Sequence, residues 1–166
     1  MYMYTQGHSR LISTGVYLPE QRVTSREIME DLDADNRFGV SVNWIEKTMG
    51  IRERRVAPDG ALPSDLALHA AREALDQAGL TPAQLDAIIY TGFSRDHLEP
   101  ATAHIVQGRL GAENAVAFDV TNACHGFMNG IHLMDALIAT GQARRGLVLT
   151  GELGSRVTRK TIDALK

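Results

Sequence analysis

The chain has 166 residues, of which 44% are hydrophobic and 22% charged, and it carries a formal net charge of −3. This composition is typical of a folded globular protein and excludes a disordered chain. The slightly acidic balance gives no general attraction to nucleic acid or to an anionic membrane, so we expect neither as a partner.

Short β-branched runs alternate with segments of helical periodicity along the whole chain. In chain order, the sequence first predicts a strand over 10–19, short helices over 25–32 and 42–50, and a longer helix from Ser64 to Gly79. A strand over 86–92, a helix over 100–110 and a strand over 115–120 follow. The last predicted elements are a helix after Cys124 to about Thr140, a strand over 145–152 and a helix over 157–166. Thr24 or Ser25 is predicted to cap the first of these helices, and Ser64 the longer one. This order favours an α/β fold in which helices cover a mostly parallel sheet.

We expect a cytoplasmic protein, because the sequence shows no recognisable targeting signal. The opening residues, MYMYTQGHSR, lack the apolar core of a signal peptide, and no segment has the apolar length of a membrane span. With one cysteine in the chain, an internal disulfide and a zinc site built from several thiolates are both impossible. We therefore predict no membrane span and no metal site.

Cys124 stands where the strand over 115–120 turns into the following helix, in the run FDVTNACHGFMNG. Functional groups of α/β folds gather beyond the carboxyl ends of the strands. Unpaired amides and the positive end of the helix dipole would favour a thiolate there. The residue types alone also fit a buried apolar cysteine, because free cysteines commonly pack as small hydrophobic side chains.

Five motifs carry a resemblance to a known family. They are GVYLPE, WIEKTMGIRERR, the alanine-rich helix that follows, EPATAHIVQGRLG and DVTNACHGF. In order and spacing they resemble the thiolase-fold β-ketoacyl-acyl-carrier-protein synthases III, from about Arg10 to the end of the chain. SRDHLEPATA with NACHGFMNG is most similar to the branch that joins two fatty acyl thioesters head to head, the olefin-pathway thiolase-like enzymes.

The resemblance implies an acyltransferase that performs a Claisen condensation. Cys124 would hold an acyl group, and a carbanion from a second thioester would attack it to give a β-keto product. Glu99 matches the glutamate that reaches across the dimer interface in the head-to-head branch. There it would act as the base, and burial beside an acyl pocket would disfavour its ionised form. The residue type alone favours a solvated surface charge at Glu99, and only the resemblance makes it a candidate base.

The same resemblance implies how the acyl donor binds. Trp44 and Arg156 match positions that hold the nucleotide end of coenzyme A, and Lys47 could add charge. Thr48 stands where the family has an arginine, so a donor on acyl carrier protein stays open. Its acidic surface could meet basic residues at the channel mouth, for which the candidates are Arg52, Arg54, Arg55 and Arg156. No permanently bound cofactor is implied; acyl-coenzyme A or acyl carrier protein thioester is the substrate.

Family members are about twice as long as this chain. Residues 1–166 are therefore interpreted as the N-terminal half of a thiolase-like fold, a mixed sheet in an α/β/α arrangement that is incomplete without a C-terminal half. A natural split, a truncation or a retained noncatalytic half would each explain this. The resemblance also implies a homodimer contact through the N-terminal half.

Three other functions stay open at the level of sequence. A chain-initiating ketosynthase would generate its carbanion by decarboxylating malonyl carrier protein. A noncatalytic scaffold or carrier-binding partner would keep only the fold. A stand-alone cysteine hydrolase ranks last, because a base and an orienting residue beside the thiol cannot be located. His125 receives no catalytic role, since neighbouring helical residues point about 100° apart. His132 receives none either, because it lies about two helical turns beyond Cys124.

Overall fold

The computed structural model describes residues 9–166, and their contacts form two compact units. Residues up to 17 together with 62–152 form the first unit, and 18–61 with 153–166 form the second. Most of the opening stretch that bears on a signal peptide, residues 1–8, lies outside the described residues. Across the described range, every helix is too short or too polar to span a bilayer.

A three-stranded parallel sheet forms the centre of the first unit. Its strands are β3 (Ala87–Tyr90), β4 (Val116–Asp119) and β5 (Gly146–Leu149), in the spatial order β4–β3–β5. The strands end level with one another, since Tyr90 lies opposite both Asp119 and Leu149. The predicted parallel α/β arrangement is confirmed, and the three carboxyl ends share one edge of the sheet.

Helices cover both faces of this sheet. On one face, α4 (Pro63–Ala78) and α5 (Thr102–Leu110) supply apolar residues to a core around Ile88 and Tyr90. On the other face, α6 (Gly126–Ala139) packs Met134 into a second core with Ala87 and Ile89. The alternation of buried side chains along β3 therefore supplies both cores, which gives the predicted α/β/α layers.

The start of α4 differs from the prediction. Leu62, and not Ser64, is the N-cap, and Pro63 occupies the first turn. Proline is favoured there because its missing N–H would have no helical partner in any case. The Asp65 carboxylate accepts the Leu62 N–H at 2.7 Å, and this bond holds the pKa of Asp65 below its usual value.

The predicted strand over 10–19 is wrong, because this run forms no strand among the described residues. β-propensity alone does not supply the ladder of hydrogen bonds that defines a strand. Within the first unit the run is fastened to α4 instead. Ser13 Oγ donates to the carbonyl of Ala74 at 2.7 Å, and the Val16 N–H donates to Glu73 at 2.8 Å.

The second unit contains a small antiparallel ribbon and short helices. They are β1 (Arg22–Thr24), α1 (Ser25–Asp31), α2 (Ala34–Phe38), α3 (Trp44–Met49), β2 (Glu53–Arg55) and α7 (Gly154–Leu165), with β1 paired to β2. Thr24 caps α1 as predicted, and Glu27 completes the capping box. The sequence pattern does not predict the ribbon or α2, because these elements are short and polar.

Candidate active site

The turn between β4 and α6 carries Cys124. Ala123 adopts a left-handed backbone conformation with φ of 43°, which is rare for a residue with a side chain. Two turn hydrogen bonds enclose the cysteine, from the His125 N–H to the Asn122 carbonyl at 2.9 Å and from the Gly126 N–H to the Ala123 carbonyl at 3.1 Å. Cys124 is exposed at the start of a 14-residue helix. Strained backbone of this kind clusters at functional sites.

Two glycines seat α6 against the sheet directly after the cysteine. A Cβ at Gly126 would lie 2.6 Å from the carbonyl oxygen of Thr91, and one at Gly130 would lie 2.5 Å from Thr91 Cγ2. Both positions are buried. The missing side chains of the two glycines thus make room for the residue that follows β3. Close packing on the sheet thus fixes the first turn of α6, and with it Cys124.

Glu99 lies in the loop that joins β3 to α5, and its side chain is exposed. The burial expected for a base beside an acyl pocket is therefore absent from the described chain. Its neighbour Leu98 is also open to solvent, with 79% of its surface exposed.

Hydrogen bonds fasten the start of this loop to β3 and to the end of β5. The Tyr90 hydroxyl lies 2.7 Å from the Gly151 carbonyl and 2.5 Å from the Ser94 carbonyl. Glu152 accepts the Phe93 N–H at 2.9 Å. Burial and the nearby carboxylate charges raise the pKa of Tyr90 well above its usual value, so the phenol stays a hydrogen-bond donor.

The structure brings Cys124 and Glu99 to the same edge of the sheet. Cys124 follows the carboxyl end of β4, Glu99 follows that of β3, and these two strands are parallel neighbours. Asp119, which sequence analysis missed, is the last residue of β4, and its carboxylate accepts two backbone N–H groups at the start of α5. Its position as the last residue of the strand before Cys124 is the signal that could have identified it.

The other predicted binding residues lie in the second unit. Trp44 and Lys47 are on α3, where Trp44 is 49% exposed. Arg156 is in the first turn of α7, and its guanidinium donates to the carbonyl of Ala61. About half of Trp44 is thus open to solvent, whereas the Arg156 side chain already has a backbone partner.

Besides Arg156, two of the other three arginines considered for carrier-protein contact have internal partners as well. Arg54 donates to Ser25 Oγ at 2.9 Å, and Arg55 donates to the Pro19 carbonyl at 2.7 Å. Both bonds are partly buried, so these side chains stabilise the second unit. Arg52 lies 3.3 Å from the carboxylate of Glu46 and is otherwise exposed.

Comparison with known proteins supports the resemblance drawn from the motifs. The family model of 3-oxoacyl-[acyl-carrier-protein] synthase III matches residues 118–163, which include Cys124. The β-ketoacyl-[acyl-carrier-protein] synthase III of Hyphomonas neptunium is 38% identical over 144 residues, which are 87% of this chain and 43% of that protein. The corresponding Ehrlichia canis protein is 37% identical over 149 residues, 90% of this chain and 45% of that protein.

Solved structures agree with this. One is a cysteine-to-serine variant of OleA from Xanthomonas campestris with bound lauric acid and lauroyl-CoA. It is 33% identical with a TM-score of 0.88, and the match covers 93% of this chain and 47% of the OleA chain. The 3-oxoacyl-[acyl-carrier-protein] synthase III of Aquifex aeolicus is 37% identical with a TM-score of 0.75, and that match covers 82% of this chain and 42% of the Aquifex chain. The chain thus spans about half the length of these relatives. The predicted resemblance to the N-terminal half of a thiolase-fold synthase III is confirmed, with OleA among its structural neighbours.

Proposed function

We propose that this chain is the cysteine-bearing N-terminal half of an enzyme that condenses acyl thioesters. The observation that carries the proposal is the exposed Cys124 at the start of α6, held by a strained turn at the carboxyl edge of a thiolase-like sheet. Residues 1–166 form one half-domain in this proposal. A C-terminal half, on the same or another chain, completes the fold and the acyl pocket.

In the proposed first step, the Cys124 sulfur attacks the carbonyl carbon of an acyl thioester. The carbon–sulfur bond of the thioester breaks, the carrier thiol leaves with the proton that the cysteine loses, and the acyl group stays on Cys124. Acyl-coenzyme A or acyl carrier protein supplies the group. Trp44, Lys47 and Arg156 are the residues proposed to receive the nucleotide end of coenzyme A.

In the proposed second step, Glu99 removes an α-proton from a second acyl thioester. The resulting carbanion attacks the acyl carbonyl on Cys124, and the cysteine sulfur leaves as a thiolate to give a β-keto thioester. The exposure of Glu99 and of its neighbour Leu98 supports its entry into the site of a second copy, which would also bury the carboxylate. A homodimer through this half is therefore part of the proposal.

The first experiment is an intact-mass measurement after incubation with lauroyl-CoA. It is made on the chain alone and on the chain mixed with the C-terminal half of the Xanthomonas campestris OleA. We expect one lauroyl adduct in the presence of the second half, and none on Cys124→Ala. A wild-type chain that stays unmodified in both samples would overturn the assignment of Cys124 as a nucleophile.

The second experiment separates the base from the nucleophile. Glu99→Gln should leave the lauroyl adduct on Cys124 intact while the β-keto product falls at least about a hundredfold. Glu113→Gln is the matched control, because Glu113 is another exposed glutamate of the first unit. If Glu99→Gln makes β-keto product from lauroyl-CoA alone at the rate of the control, Glu99 is not the base that removes the α-proton.

A further inference from the structure

Asp119 joins the segment that carries Cys124 to the segment that carries Glu99. It is the last residue of β4, and the turn with Cys124 follows it directly in the chain. Its Oδ2 accepts the N–H of Thr102 at 2.9 Å, and its Oδ1 accepts the N–H of Ala103 at 2.8 Å. Both bonds are partly buried, so one carboxylate ties the start of α5 to the end of β4.

Hydrogen bonds of Asp96 also hold the N-terminal end of the loop before α5. The backbone N–H of Asp96 donates to Thr102 Oγ1 at 3.3 Å, and Asp96 Oδ1 accepts the N–H of Ser64 at 2.9 Å. Thr102 and Ser64 are both fully buried. The loop over 97–101 therefore spans two fixed points, and Glu99 lies at its middle.

From these contacts we infer that Asp119 is a positioning residue, which holds the Glu99 loop in a fixed place on its own subunit. The inference rests on the proposed function, in which Glu99 of one copy acts as the base in the site of the second copy. Asp119 acts on Glu99 only through the amides of α5. A displacement of about 1 Å of a catalytic group can lower a rate by about a hundredfold, so such a fastening has kinetic value.

Asp119→Asn tests the inference with almost no change in side-chain volume. The amide keeps one oxygen acceptor and places an NH2 group against the second backbone N–H, so one of the two bonds is lost and replaced by two facing donors. We expect the formation of β-keto product to fall about tenfold to a hundredfold. The rate at which lauroyl-CoA acylates Cys124 should change less than about twofold, since that step needs no base from the loop.

Asp65→Asn is the matched control for loss of a helix-start carboxylate. Asp65 accepts the N–H of Leu62 at the beginning of α4, much as Asp119 accepts those of Thr102 and Ala103 at α5. The two variants should therefore have similar unfolding midpoints. Only Asp119→Asn should lose condensation and show faster amide hydrogen exchange over 97–103.

The outcomes separate the inference from the proposed function. Equal loss of acylation and condensation in both variants would show a general structural role and overturn the inference. Full condensation by Asp119→Asn, alongside normal wild-type acylation, would also overturn it while leaving the proposed function intact. A wild-type chain that is never acylated overturns the proposed function itself, and with it the kinetic role of Asp119.

Discussion

Gly126 offers the most direct test of how Cys124 is held. In Gly126→Ala the added Cβ would lie 2.6 Å from the carbonyl oxygen of Thr91, a backbone atom at the end of β3 that cannot rotate away. Overpacking of this kind costs about 1–3 kcal/mol. Replacing a helical glycine by alanine in turn contributes about 1 kcal/mol of stability through backbone entropy. The net expectation is a loss of up to about 2 kcal/mol.

Gly108→Ala provides the matched control. Gly108 lies inside α5, is exposed, and an added Cβ would meet no atom within 4 Å. This variant should gain about 0.5–1 kcal/mol, because only the entropy effect remains. The two substitutions are chemically identical, so the difference between them isolates the contact of α6 with the sheet.

The assay is equilibrium urea unfolding of the two variants and the wild-type chain. With a slope of about 2 kcal/mol per molar urea, a difference of about 2 kcal/mol separates the midpoints of the variants by about 1 M. Gly126→Ala should unfold first and Gly108→Ala last. If Gly126→Ala were as stable as Gly108→Ala, the close seating of α6 would be wrong, and with it the reason given for the fixed position of Cys124.

Two further predictions concern buried polar groups and acid stability. Tyr90→Phe should lower the free energy of unfolding by about 1–3 kcal/mol, because it leaves the buried carbonyl of Gly151 without its donor. The control Tyr17→Phe, at a partly exposed site, should change the free energy of unfolding by less than about 0.5 kcal/mol. Equal effects of the two substitutions would contradict the hydrogen bonds of the Tyr90 hydroxyl. The backbone amides of Arg144 and Arg145 hold the pKa of Asp86 below its usual value. The stability that Asp86 contributes is therefore fully present above the unfolded-state pKa of about 3.9, and it is lost as the pH falls through the lower folded-state pKa. Asp86→Asn should therefore lose stability near neutral pH and show a shallower further loss in acid, and an unchanged acid slope in urea titrations would refute this.

Much of the first unit could be predicted from sequence because its signals are local. The apolar run that forms β3 and the helix that follows Cys124 were placed to within a residue or two. The position of Cys124 beyond a parallel strand follows from the alternation of strands and helices alone. The left-handed conformation of Ala123 could not be predicted, since an alanine carries no preference for it.

Other features depend on contacts that no local pattern encodes. The run over 10–19 has the composition of a strand, yet a strand also needs a neighbouring backbone, and here its anchors are Ala74 and Glu73 of α4. Asp119 looks like an ordinary strand-end aspartate until α5 is seen to begin against it. Tertiary hydrogen bonds of this kind decide which carboxylates position a site and which face solvent.

On the proposed function, the exposed apolar surface of the first unit sets how firmly a second half can bind. On α6, Phe127, Met128, Ile131 and Leu133 are 37–45% exposed, while Leu11, Ile12 and Val16 of the opening run are 59–81% exposed. At about 1.5–3 kcal/mol for each fully buried side chain, covering the helix residues stabilises by about 2–5 kcal/mol and covering the opening run by about 3–6 kcal/mol. Association of separate chains costs about 4–15 kcal/mol, which over most of that range exceeds what either surface supplies by itself. We therefore expect a separate second half to cover both surfaces, whereas a half joined by the chain avoids most of the association cost.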